Sequence, residues 1–101
     1  MTQIHEWRGA SGRRYCFQVA LLDSVAPPMQ PGVFIYCRQD SSGWVPLALG
    51  QVEDLAAEHR AGSARFVATQ AGATHLHSHV RLAGLEARVE EEVDLAESFG
   101  L

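Results

Sequence analysis

GVFIYCRQDSSGWVPLALG, residues 32 to 50, decides the fold. Val33 to Arg38 is rich in β-branched and aromatic residues and predicts a strand. Gln39 to Gly43 is polar and ends on Gly, which predicts a turn. Trp44 to Gly50 returns as the partner strand. Pro46 has no N–H to give to a ladder, so this partner is expected at a sheet edge or with an irregular start.

Outward from the hairpin, Arg13 to Leu22 predicts an earlier strand, and Ser24 to Gly32, with three Pro, a loop. Val52 to Gly62 predicts a short helix with acids in its first turn and Gly62 as its stop. A further helical turn or two is expected over Arg65 to Ala73. Thr74 to Val80 alternates strictly and predicts a strand, and Leu85 to Gly100 predicts the longest helix. This order implies one α+β domain over residues 1–101: a small, mostly antiparallel sheet, built from hairpin 33–50 and strands near 13–22 and 74–80, flanked by helices. A chain of 101 residues, 47% hydrophobic, can build a core without disulfides or a metal.

Composition narrows the function. No apolar run reaches the roughly 20 residues that span a bilayer, so no membrane role is expected. The start MTQIHEWRGA lacks the apolar centre of a signal peptide, and the expected location is cytoplasmic. Cys16 and Cys37 form no CxxC, and both are expected to be buried free thiols. The first fifty residues carry four Arg against three acids, and the remainder four Arg against nine, for a net charge of −4. Nucleic-acid binders usually present a basic surface, so the overall charge opposes such a partner, a local Arg8, Arg13 and Arg14 cluster notwithstanding.

In the last helix, Leu85, Val89, Val93 and Ala96 share one stripe. With Leu85 at 0°, Glu92 falls near 340°, inside that stripe, while Glu86, Glu90, Glu91, Asp94 and Glu97 fall at roughly 100–240°, a solvated face. A carboxylate facing a core requires a partner. Arg88, one turn earlier, is one candidate and a metal is the other. In the strand at 74–80, His75, His77 and His79 share one face, with Leu76, Ser78 and Val80 on the other. Histidines so spaced either line a half-open sheet, bonded to neighbours, or chelate a metal with a third ligand such as Glu92. His5 and His59 are isolated and expected at the surface.

Gly32-Val33-Phe34 opens the hairpin and Ala48-Leu49-Gly50 closes it. Gln51-Val52-Glu53-Asp54-Leu55 leads into a helix, and Arg88, Glu92 and Asp94-Leu95 share the last one. In order and spacing, the segment Gly32 to Leu95 resembles the GIY-YIG nuclease family, including small standalone bacterial members with a WxGxxG start (here Trp7 to Gly12) and a GATH-type strand. The resemblance implies a nuclease site made of two tyrosines, a helical Arg and a metal-holding Glu. Phe34, Ala48 and Glu58 stand where the tyrosines and the Arg would be, and only the Glu92 position is kept. Losing one electrostatic donor commonly costs about 10²–10³ in rate, so the resemblance implies a retained fold without standard hydrolysis, serving binding or regulation.

Two alternatives stay open. One is an active divalent-metal enzyme (Mg, Mn or Zn) with a rebuilt site: Glu92, Tyr36 and His77 in catalysis, Glu92, His75 and His77 as ligands, and His79 in support. Tyr36, two residues beyond Phe34, faces the same side of its strand. The other is an interaction module whose acidic last helix meets a basic partner or a second copy of the chain.

Overall fold

The structure, a computed structural model, describes residues 3–24 and 26–101; Met1 and Thr2 of the chain start and Val25 of the expected loop lie outside the described residues. The elements are β1 (Gln3–Arg8), β2 (Arg14–Leu21), β3 (Gly32–Asp40), β4 (Gly43–Val52), α1 (Leu55–Ala61), α2 (Ser63–Gln70), β5 (His75–Val80) and α3 (Leu85–Phe99). The strands form one five-stranded antiparallel sheet in the order β1-β2-β5-β3-β4. The fold is α+β, as the order of sequence signals implies.

The hairpin β3–β4 forms as expected. Asp40 starts its turn by accepting hydrogen bonds from the Ser42 N–H at 2.8 Å and the Ser42 hydroxyl at 2.7 Å, a local side-chain turn. Gly43 follows with φ +118, a conformation that favours glycine. β4 is an edge strand, and its register with β3 shifts between Tyr36 and Cys37, where Tyr36 faces Ala48 and Cys37 faces Pro46. Leu47 is the extra residue of this bulge, so Pro46 sits where a missing N–H is tolerated.

Two cores sit on opposite faces of the sheet. On the α3 face, Tyr15, Phe17, Val33, Ile35 and Cys37 pack around Leu95, with Trp7, Trp44, Leu49 and Phe99 at the margin. On the α1/α2 face, Phe34, Tyr36 and Leu76 pack with Leu22, Leu55 and Ala68. The period-two alternation of β3 therefore divides Ile35 from Tyr36. Asp54 caps α1 by accepting from the Ala57 N–H at 3.1 Å, and Gly62 ends it.

Three expectations are corrected. Gln3–Arg8, without an expected element, forms β1: Ile4 and Glu6 face outward, while His5 and Trp7 face inward opposite Phe17 and Tyr15, so the outward Ile4 and inward His5 blur the strand alternation. Cys16 is exposed and only Cys37 is buried, because Cys16 alternates with the inward-facing Tyr15 and Phe17. Finally, α3 is rotated by roughly a third of a turn from its expected setting. Its buried side chains are Arg88, Glu91 and Leu95. Leu85, Val89 and Val93 of the expected core stripe are 55%, 40% and 50% exposed. The rotation is possible because both charged residues find partners. Arg88 donates to Gln51 Oε1 at 3.0 Å and to Glu53 Oε1 at 2.5 Å. Glu91 lies 2.8 Å from His79 Nδ1 and 3.6 Å from Arg81 Nε. Such pairing offsets the desolvation that would otherwise expel both groups.

Candidate functional site

On the α1/α2 face, Phe34 is buried and faces Gly50 across the ladder. A Cβ at Gly50 would lie 2.5 Å from the Phe34 ring, so the close approach of that ring requires the glycine. Ala48 faces Tyr36. Tyr36 is buried, and its hydroxyl lies 3.0 Å from His59 Nδ1, while His59 Nε2 lies 2.9 Å from the Leu22 carbonyl oxygen. A carbonyl only accepts, so Nε2 carries the His59 proton, Nδ1 accepts, and the Tyr36 hydroxyl donates. Burial pushes the Tyr36 hydroxyl up to about 12. Burial, and then the Arg65 charge, lower the His59 pKa. His59 is thus an interior residue and not a surface one. Glu58, at the position the resemblance gives to an Arg, folds its carboxylate against Gly62.

On the α3 face, the histidines of β5 share one side as the alternation predicts, with Cys37, Ile35 and Val33 as cross-strand neighbours. They take three different partners. His75 Nδ1 lies 2.8 Å from the Thr74 hydroxyl. His77 Nδ1 accepts the indole N–H of Trp7 at 2.8 Å. His79 Nδ1 meets Glu91. Because His77 Nδ1 accepts, its proton sits on Nε2, which is buried with no hydrogen-bond partner among the described residues. The ring stands at 80° to Trp44, 4.6 Å between centroids, with His5 at 5.6 Å. Burial, and then the neighbouring His5 and His75, lower the His77 pKa to about 3. A residue so held is a neutral core histidine at physiological pH. His5 also departs from the surface expectation: it is half-buried, 4.7 Å from Trp7 between ring centroids.

The rebuilt site is not assembled. Tyr36 is on the sheet face opposite His75 and His77. Among the described residues, no group of three or more His, Cys, Asp or Glu side chains is arranged to hold a metal ion, so Glu92, His75 and His77 do not form a ligand set. The expected Glu92–Arg88 pair is also absent, because Arg88 turns toward Gln51 and Glu53. Glu92 is half-buried and makes no hydrogen bond or ion pair with another side chain among the described residues. The deeply buried carboxylate is Glu91, which helical periodicity predicts on the solvated face. The signal that could have found it is His79 followed by Arg81 at the end of β5, a ring N–H donor and a guanidinium that one acid can meet.

Asp94 has a different task. It accepts from the Ser11 N–H at 2.8 Å, the Ser11 hydroxyl at 2.7 Å and the Tyr15 hydroxyl at 2.8 Å, tying the turn between β1 and β2 to α3. Those hydrogen bonds, led by Ser11, lower its pKa.

A groove of about 510 Å³ runs over β2 and β5 beside the 26–28 loop. Its lining includes Gln18, Ser24, Leu76 and Ser78 and contains no Arg, Asp or Glu among the described residues. No family model, curated protein or solved structure matches the chain. Among the described residues, no helix is long and apolar enough to cross a membrane.

Proposed function

We propose that the chain is a GIY-YIG-like domain that has lost phosphodiester hydrolysis and works as a binding module. The observation that carries this reading is the division of the four motif positions between two sides of one sheet. Phe34, Ala48 and Glu58 belong to the α1/α2 face, while Glu92 sits on α3, across the sheet. Hydrolysis of a phosphodiester needs an activated nucleophile and charge stabilisation around one reacting atom, within about 3 Å of each. Here the groups proposed to replace that chemistry are engaged elsewhere: Tyr36 with His59, His77 with Trp7, and His79 with Glu91. The likeness to the family rests on the hairpin, the helix that follows it and the late helix. The glycines of both motifs have packing reasons of their own, since a Cβ at Gly32 would collide with the His79 carbonyl oxygen and one at Gly50 with Phe34.

Cys16 and Cys37 are both free thiols, which suits the reducing cytoplasm where we place the module. The test is nicking of supercoiled DNA and of RNA by purified protein with Mg²⁺ or Mn²⁺. The expected result is no cleavage above buffer; cleavage that Glu92→Ala removes would overturn the reading.

A further inference from the structure

The rotation of α3 turns an apolar ridge outward. Leu85, Val89 and Val93 are four residues apart, so they form one continuous i±4 ridge about 12 Å long. Each is 40% exposed or more. A helix that buries Arg88 and Glu91 while showing this ridge to solvent inverts the usual arrangement. The i±4 ridge is the feature that packs into the groove of another helix. Glu86, Glu90 and Glu97 border it, all exposed. Two copies of α3 packed ridge to ridge would bring these carboxylates together, a like-charge juxtaposition that disfavours self-pairing. A helix with Lys or Arg beside its own apolar stripe would meet both the ridge and the acids.

We propose that the outer face of α3 docks a basic amphipathic helix of a partner protein. This inference rests on the reading of the chain as a binding module and names the chemistry of its partner. The ridge supplies the apolar contact, and the glutamates select cationic partners and speed encounter.

The probe is a labelled synthetic helix of about 18 residues, long enough to hold helical structure, with a Leu stripe flanked by Lys. Its binding is read by fluorescence anisotropy. Val89→Ser with Val93→Ser should weaken binding about tenfold or more, as loss of central apolar anchors does. Glu86→Gln with Glu90→Gln and Glu97→Gln should flatten its salt dependence. Phe66→Ser, at a 67% exposed site on α2, should change neither. Circular dichroism checks that each variant is folded.

Equal binding by the Val89→Ser, Val93→Ser protein, or of a peptide with Glu in place of Lys, would overturn the proposal. So would a concentration-dependent dimer in sedimentation that those serines dissolve, since the occupant would then be a second copy. Metal-dependent nicking by the same preparation would sink the non-catalytic reading whatever the peptide does. A nuclease-inactive protein that ignores the peptide would sink only the helix partner.

Discussion

Glu91→Ala tests the orientation of α3, on which the proposed docking face depends. Glu91 is 1% exposed, hydrogen-bonded to His79 Nδ1 at 2.8 Å and ion-paired with the Arg81 guanidinium at 3.6 Å. Removing one member of a buried charged pair typically costs about 3–5 kcal/mol, because the partner is left unpaired. His79 and Arg81 retain 23% and 34% of their side-chain exposure, so water can reach both once the carboxylate is gone, which places the cost near the lower limit, about 3 kcal/mol. For a domain of this size each kcal/mol shifts Tm by roughly 4 °C, giving a loss of about 12 °C. Glu92→Ala removes a half-buried carboxylate with no side-chain partner among the described residues and should cost less than about 1 kcal/mol. Urea melts of both variants, with unchanged m-values, measure the difference. If Glu92→Ala were the more damaging, the helix would be rotated back toward its expected setting, with the Leu85–Val93 ridge inside.

Other outcomes follow from the same geometry. Because the His77 pKa is lowered in the fold, to about 3 from 6.5, the unfolded chain takes up that proton first. The stability due to neutral His77 is therefore complete above about pH 6.5 and is lost as pH falls from 6.5 toward 3; His77→Leu should reduce the acid slope of the urea midpoint, and an unchanged slope would contradict burial of the ring. Tyr36→Phe removes the donor to His59 and should cost about 1 kcal/mol in the same urea assay; a neutral effect would argue against that bond. Cys37 is fully buried, and burial pushes its thiol up to about 12, so a thiol reagent at neutral pH should label Cys16 alone in the native protein and both cysteines in denaturant. Rapid labelling of both in the native state would refute the assignment of Cys37 to the core.

Local signals were legible where side-chain chemistry and backbone period agreed. The hairpin followed from its β-branched runs, Asp40 and Gly43, and β5 from the strict alternation of its histidines. The shared face of His75, His77 and His79 was likewise set by the period of two. What sequence could not provide was long-range pairing. Arg88 and Glu91 look like solvent-facing residues until Gln51, Glu53, His79 and Arg81 are brought beside them by the sheet. The apolar stripe of α3 is a true stripe, but periodicity alone does not say whether it meets this domain or another. His59 became interior because Tyr36 and the Leu22 carbonyl both satisfy its ring, a pairing across 23 and 37 residues. β1 carries no clear strand signal because Ile4 faces outward and His5 inward, against the alternation that Glu6 and Trp7 follow.

The proposed loss of hydrolysis is tested most directly by placing on one face two of the groups that the GIY-YIG resemblance implies. Phe34→Tyr with Glu58→Arg puts a hydroxyl and a cation on the α1/α2 side while leaving Glu92 on α3. Nicking of supercoiled plasmid in Mn²⁺, measured for this double variant beside the parent and its Glu92→Ala derivative, is predicted to stay at the buffer level in all three. Cleavage by the double variant that disappears with Glu92→Ala would mean that both faces serve one site, and would contradict the account.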